Sequence, residues 1–532
     1  MPKTELPKDE QTPARKIIAA RQAAARAELR PFNVHSYQIP NNPTTKQVAQ
    51  AVTNLKAVPD WLRVNVTTET KAGIDPETGA HSQDHPVIKA KIDVSVNVQQ
   101  LADSIMQRSK LAHFPALMEG AVYEPALGTW RTFSKGEWRL TIRKRTHDLL
   151  KAWGCLNKKT IADVFDYIDL DAFDESYRKQ SPFDAIAHPE LVAFKNGTYN
   201  MLTDKMESSR PDNYLLNAHD YAVDPNKSDC PETEKLLKAM LGKAQVTLQE
   251  FIGYMFYHSH KPFQEVLWLS GTGGEGKSTL LGMIGELLGR DNYSAQNPQD
   301  LSNPDKRFSI AELYGKEANI VADIADTYMR DTSMIKRLTG GDVISAEFKG
   351  ITGFNYVNYS KQIFAANALP SFSDTSAGFA RRMTILKMVN GNVSNKPEFW
   401  KQFDMAKIER ERPAFAMKCM HLFKRAFDRK AFTKPPTVRA ATREWLEEND
   451  RLQQYIEEGF EVSIGNNSFY VEAPYFNANF KLWLQDNSYS QIGVQKVKKR
   501  MVSKGFIYKD KKVAGKSVKA YFGIRSNGTI AH

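Results

Sequence analysis

Cysteine is scarce in this 532-residue chain, which has only Cys155, Cys230 and Cys419. Their wide separation gives neither the paired spacing of a zinc site nor the density of a disulfide scaffold, and points to a reducing, intracellular setting. No apolar run reaches the ~18 residues a membrane span requires. The N-terminus lacks the unbroken apolar segment of a secretory signal. A soluble, cytoplasmic protein is therefore expected. Convergent carboxylates suited to a polymerase-type metal centre are also lacking. The nearest approach is Asp163, Asp166, Asp169, Asp171, Asp174 and Glu175. The first three recur every third residue, which on a helix makes one polar stripe. His81 and His85, with Asp84 between them, sit in a Gly/Pro-bounded segment and read as surface histidines.

Acidic residues are in deficit. Lys and Arg number 73 against 61 Asp and Glu, a net charge of +12 and a pI near 9.2. Solubility alone accounts for such a surplus as well as a polyanionic partner does. With 41% hydrophobic and 25% charged residues, composition excludes collagen-like, coiled-coil and disordered classes. The length exceeds what one core can organise, so several domains are expected.

Residues 1–35 are rich in Ala and Arg with few large apolar side chains, as in a solvated tail. From about 36 to 240, apolar segments alternate with turn signals such as Asp75-Pro76, Asn196-Gly197 and Asp224-Pro225, which predicts mixed α/β structure. Between about 245 and 425 strand-like and helix-like runs alternate, as in a parallel sheet covered by helices. Lys434-Pro435-Pro436 then breaks the chain, and a separate C-terminal domain is expected from 437.

The strand-like Val266-Leu267-Trp268-Leu269 leads into Gly271-Thr272-Gly273-Gly274-Glu275-Gly276-Lys277-Ser278-Thr279, a full match to the G-x-x-x-x-G-K-[ST] phosphate-binding pattern. Glycines let successive backbone N–H groups turn toward phosphate oxygens. Lys277 would neutralise the β/γ-phosphates of ATP, and the Ser278 hydroxyl would hold Mg²⁺. Leu280, Leu281, Ile284, Leu287 and Leu288 follow at helical spacing, so a helix N-terminus faces the same point. Ile320-Val321-Ala322-Asp323 ends a second strand in a carboxylate suited to Mg²⁺. Asp326 would activate water or is a solvated loop acid. Gln362 to Asn367 forms a third strand whose terminal Asn367 would orient water near the γ-phosphate. Arg381 and Arg382 follow, placed to stabilise transition-state charge at a neighbouring subunit's ATP.

This order of loop, acid, polar sensor and arginine resembles the superfamily 3 helicases of AAA+ type, and among them the phage and plasmid replication proteins related to the poxvirus primase-helicase. Lys336-Arg337-Leu338-Thr339-Gly340-Gly341-Asp342, followed by Val343 to Gly350, is similar to the family's K-x-L-T-G-G-D segment and its β-hairpin. The resemblance implies that Lys349 at the hairpin tip grips single-stranded DNA in a hexameric ring, with Phe348 beside it. It also implies that Arg382, or failing it Arg381, is the arginine finger. Trp130, Phe194 to Gly197 and Tyr221 to Pro225 look like the domain that precedes the family's motor. The implied function is a 3′-to-5′ DNA helicase of phage or plasmid replication, acting on single-stranded and forked DNA, in the host cytoplasm if phage-encoded. The alternative is an ATP-regulated, origin-binding initiator without processive unwinding. The first ~110 residues are too short for the primase domain fused to many relatives, so a separate primase or other replication proteins are the expected partners.

In the tail, Phe476 to Leu484 and Val494 to Met501 read as helices and Phe506 to Phe522 as a strand pair around Gly515, a pattern suiting a winged helix-turn-helix over 437–532. From 496 to 525 eleven basic residues face Asp510 alone. Lys496, Lys498, Lys499 and Arg500 on the second helix fit duplex phosphates. The expected layout is an N-terminal region to 110, a mixed α/β domain over 111–240, an AAA+-like P-loop core over 241–430, and the winged-helix domain.

Overall fold

Three stretches of the chain bury their apolar side chains in largely separate cores. The computed structural model describes residues 43–44, 46–50, 58–113, 120–173, 182–183, 186–303, 306, 308–324, 332–348, 353–367, 369–370, 376–394, 396–448, 451–489, 491–513 and 516–529. The Ala- and Arg-rich segment 1–35 lies outside them, as do Asp174 and Glu175.

The first core begins with a long antiparallel ribbon, β1 (Leu62–Ile74) and β2 (His81–Val96). At its turn the Asp75 carboxylate accepts the N–H groups of Glu77 and Thr78 at 2.8 and 3.1 Å, the local bonding that makes Asp a turn residue. Helix α1 (Val98–Arg108) starts on Asn97, whose side chain accepts from the Gln100 N–H. A three-stranded sheet of β3 (Leu111–His113), β4 (Gly120–Glu124) and β5 (Thr129–Phe133) follows, then α2 (Lys135–Ala152) and α3 (Lys158–Asp171). Trp61, Leu101, Trp138, Trp153 and Ile168 share this core. It crosses residue 110, so packing does not change at the boundary expected there. Helix α3 carries the acidic stripe; its Asp169 accepts the Trp138 indole N–H at 2.8 Å and lies 3.1 Å from His113 Nδ1. Among the described residues no group of three His, Cys, Asp or Glu is placed to hold a metal.

The next segment, β6 (Leu191–Phe194), β7 (Gly197–Asn200), β8 (Lys205–Glu207) and β9 (Ala218–His219), forms a small sheet and leads into α4 (Pro231–Leu241) and α5 (Gln245–Met255). Nine consecutive residues of α5, Thr247 to Met255, are buried, as expected of a helix enclosed on all sides. This segment shares the largest core with the central sheet. The expected 111–240 domain is thus divided between two cores.

The central sheet comprises β10 (Val266–Ser270), β11 (Tyr293–Ser294), β12 (Ala318–Ile324), β15 (Lys361–Ala366) and β16 (Met383–Lys387), all parallel. Across the sheet the order is β11-β12-β15-β10-β16. Helix α6 (Lys277–Leu288) follows β10, α7 (Ser333–Gly340) follows β12, and an antiparallel hairpin of β13 (Val343–Ala346) and β14 (Phe354–Val357) leads into β15. All six residues of β15 are buried, as in a strand covered on both faces.

Helix α8 (Met405–Arg429) packs along α5, and α9 (Pro436–Glu448) packs against β16. Trp445 of α9 is buried against Trp268 at 5.7 Å, and the Thr442 hydroxyl accepts the Ile385 N–H at 3.0 Å. The chain break at Lys434–Pro436 is therefore not the domain boundary, because α9 belongs to the sheet. The third core joins α10 (Arg451–Gly459), β17 (Phe460–Val462), β18 (Tyr470–Glu472), α11 (Ala473–Asp486), α12 (Val494–Ser503), β19 (Ile507–Val513), β20 (Lys516–Phe522) and β21 (Ile524–Ser526).

Candidate active site

The carboxyl ends of β10, β12, β15 and β16 converge on one rim of the sheet, where α/β folds of this kind take their ligands. The loop after β10 turns through Gly273, Gly274 and Gly276, at φ of 113°, 76° and 88°, values that only glycine adopts without strain. At Gly276 a side chain would also strike Met240 and Trp400 at about 3.0 Å. Helix α6 then starts at Lys277, and Ser278 and Thr279 face an open cavity of about 420 Å³.

That cavity is lined by Gly273, Gly274, Gly276, Lys277, Ser278, Thr279, Ala322, Asp323, Asn367, Ser394 and Trp400. Asp323 reaches it through a bulge: Val321 pairs with Phe364 and Ile324 with Ala366, so Ala322 and Asp323 together oppose one residue of β15. The extra residue re-aims the carboxylate into the cavity. Asn367 extends from β15 and accepts from Lys277 Nζ at 3.0 Å. Ser278 and Asp323, the pair expected to hold Mg²⁺, thus line the same space.

Glu275 lies inside the loop, and sequence reasoning gave it no separate role. One of its oxygens accepts from the Thr272 N–H and, at 2.9 Å, from the Thr272 hydroxyl. The other accepts from the Gly273 N–H and from Lys277 Nζ, both at 2.9 Å. Burial opposes ionisation, but Lys277, the Thr272 hydroxyl and the Gly273 N–H outweigh it and hold the carboxyl down at about 2. The carboxylate takes donors that a bound phosphate would use.

Trp400, Ser394 and the loop partners between them were not singled out in the sequence, and no periodic pattern marks them. The Val393 N–H donates to Gly274 O at 2.7 Å, and the Asn390 side chain donates to Glu275 O at 2.8 Å. The segment after β16 therefore braces the loop from outside.

The two arginines lie at the other end of the sheet. Val266 pairs with Met383 and Ser270 with Lys387, so Arg381 and Arg382 precede β16 where the loop follows β10. A strand of this length separates them from their own cavity by roughly 13 Å. Arg382 is buried; its Nε donates to the Thr339 hydroxyl at 3.0 Å and its Nη1 to Gly378 O. Arg381 is exposed and donates to Gln264 Oε1 at 2.7 Å. The Arg382 guanidinium thus braces α7 from within the fold, while Arg381 is presented at the surface.

Asp326 and Lys349 lie outside the described residues. Phe348 stacks on Phe354 at 5.3 Å and 15° and packs against a small core that includes Ile344 and Tyr356. One face of its ring is therefore occupied within the protein. Lys496, Lys498, Lys499 and Arg500 all fall on α12. The side chains of Lys496 and Lys499 lie outside the described ones. Lys498 Nζ sits 4.4 Å from the centre of the Tyr508 ring, and Arg500 is half-buried. On the strands, Lys509 and Lys511 cover Phe522 and Tyr470 at 4.5 Å each, and Lys519 pairs with Asp510 at 2.6 Å.

Fold and rim together define a parallel-sheet α/β protein with a phosphate-loop sequence at the carboxyl ends of its strands. Residues 113–242 match the family described as D5 N terminal like, and residues 269–382 match a family of unknown function, DUF5906. The D5-like match agrees with the resemblance to the phage and plasmid replication primase-helicases carried by the sequence motifs. Among solved structures it is similar to the apo A form of the NrS-1 C-terminal region, at 13% identity over 81% of this chain and 100% of that one, with a TM-score of 0.44. It is also similar to a JCV helicase bound to a thiazolopyridine compound, at 12% identity over 55% of this chain and 76% of that one, with a TM-score of 0.24. No helix among the described residues is long and apolar enough to cross a membrane.

Proposed function

We propose that the chain is an ATP-hydrolysing DNA helicase of replication, built on an AAA+-type core and working as a ring of identical subunits, with a hexamer as the expected form. The observation that carries this reading is the position of Arg381. It is exposed at the end of the sheet opposite the loop, so it serves a neighbour's nucleotide and not its own. The strand order supports the AAA+ assignment: counted along the chain, it runs fifth, first, fourth, third, second from the β16 edge.

In this site the Gly273–Gly276 backbone and Lys277 hold the triphosphate, and Asn367 orients water beside it. The open hydroxyl of Ser278 and the bulge carboxylate of Asp323 suit Mg²⁺, which when bound offsets charge on the β- and γ-oxygens. Asp326 is the proposed base. The β13–β14 hairpin with Lys349 carries the single strand. The α11–α12 pair with the β19–β20 strands forms a winged-helix unit that contacts duplex phosphates through Lys498, Arg500 and the neighbouring lysines.

A mixing experiment tests this. Lys277→Ala lacks a working loop and Arg381→Ala lacks the finger, so each alone should be inactive, while equimolar mixtures should regain part of the ATPase activity. No recovery on mixing would sink the shared site. Strand displacement on a forked duplex then separates the helicase from the origin-binding initiator, which the basic tail also fits: hydrolysis without displacement would favour the initiator.

A further inference from the structure

The cavity extends beyond the groups that a triphosphate needs. Lys277 meets Asn367 at one end, beside Asp323, which marks the γ-phosphate side. Trp400, half-buried, also lines the cavity, with its six-membered ring about 3.0 Å from where a Gly276 side chain would begin. Met240 closes the same spot from α4.

The indole is held in place. Its N–H donates to Val393 O at 3.3 Å, and Phe399 meets it edge-on at 5.2 Å and 89°. Val393 itself is bonded to the loop at Gly274. A large aromatic side chain, fixed in orientation and open to a cavity, offers a ring face to a planar ligand at little entropic penalty. The charged residues among those lining the cavity are Lys277 and Asp323, both expected to engage the phosphates and Mg²⁺. Ser394, which lines the same cavity from the segment after β16, has its hydroxyl already committed to Asn392 at 2.6 Å.

We propose that Trp400 is the base-binding platform of the nucleotide site: it stacks on the purine of ATP or GTP, and among the described residues lining the cavity no side chain reads the base edge. This rests on the nucleotide-binding reading given above. It adds a residue from the segment after β16, outside every phosphate-loop element, and explains why that segment is bonded to the loop.

Calorimetric titration of the full chain with ATP, GTP and inorganic tripolyphosphate, each with Mg²⁺, tests it. Trp400→Ala should weaken ATP and GTP alike by about 10- to 100-fold and leave tripolyphosphate, which has no base, unchanged. Trp400→Phe should restore most of the lost affinity. Unchanged ATP binding in Trp400→Ala would overturn the proposal. So would an equal loss for ATP and tripolyphosphate, which would mean that Trp400 only braces the loop. If the wild-type chain bound none of the three, the nucleotide site itself would be refuted.

Discussion

Replacing Glu275 by glutamine should tighten nucleotide binding, the reverse of what substitution inside a phosphate loop usually does. In the structure the Glu275 carboxylate holds the Thr272 and Gly273 donors and the Lys277 ammonium, at 2.9 Å for the latter two N–H contacts. A phosphate must displace it, so the apparent affinity is reduced by the fraction of loops in the self-bonded state. Nucleotide recovers most of these contacts. The net bias is therefore taken as one charge-assisted bond, roughly 1.5 to 3 kcal/mol. Glutamine keeps the shape and removes the charge, which forfeits about half of that and tightens binding roughly 3- to 12-fold. Equilibrium binding of a non-hydrolysable ATP analogue to the full chain measures it, with Lys277→Ala as the weak-binding control. Because the carboxyl is held at about 2, it stays ionised at neutral pH, and its competition should not vary between about pH 6 and 8. Equal or weaker binding by the glutamine variant would refute the self-bonded loop.

Further outcomes follow from other parts of the molecule. Asp323→Asn should retain nucleotide binding but lower the hydrolysis rate by about 100-fold or more, as read by steady-state turnover; near-normal turnover would remove Asp323 from the site. Trp445→Ala should cost about 3–5 kcal/mol in the unfolding of the central sheet, because the indole is 3% exposed against Trp268; an unaltered main thermal transition would restore a boundary at 437. Acidification should also destabilise the fold. Burial pulls His258 below its ordinary 6.5 and His260 well below it. Folded-state values that are depressed give stability that is present above about pH 6.5 and lost as pH falls, since the unfolded chain takes up protons first. Calorimetric melting temperatures should thus drop between about pH 7.5 and 5.5, and a flat profile would contradict the buried, neutral state of these histidines.

The phosphate loop and its sheet were legible because each signal is local. Val266 to Leu269, Ile320 to Asp323 and Gln362 to Asn367 are short apolar runs that end in the residues their chemistry needs, and parallel strands covered on both faces leave that imprint. The boundaries were less legible because they depend on what a helix packs against. The apolar stripe of α9 reads the same whether it caps β16 or opens a new domain, and only the contact of Trp445 with Trp268 decides it. Arg381 and Arg382 are adjacent in sequence and equivalent in charge. Their separation into an exposed and a buried guanidinium arises from the turn before β16, where Gly378 O and the Thr339 hydroxyl capture one of them. Trp400 carries no sequence signal because its partner is a gap at Gly276 rather than a side chain.

The far end of the sheet shows how such captured charges tie the molecule together. Glu317, fully buried just before β12, lies 3.2 Å from His219 Nε2 of β9 and 3.2 Å from His258 Nε2 beyond α5. Burial opposes its ionisation, yet the two histidines lower its pKa, so it is held as a carboxylate. Lys361, at the start of the neighbouring β15, donates to Tyr257 O and Tyr359 O at 2.6 and 2.5 Å. The region with the D5-like match therefore docks on the sheet through a buried polar cluster, at the same end from which Arg381 is presented. Breaking one partner of such a cluster leaves a buried charge unmatched, a penalty of about 3–5 kcal/mol. His219→Leu should therefore loosen β6–β9 from the sheet and impair Arg381-dependent hydrolysis more than nucleotide binding, which depends on the opposite rim. If hydrolysis and binding instead fell by the same factor, the two ends of the sheet would not be acting separately.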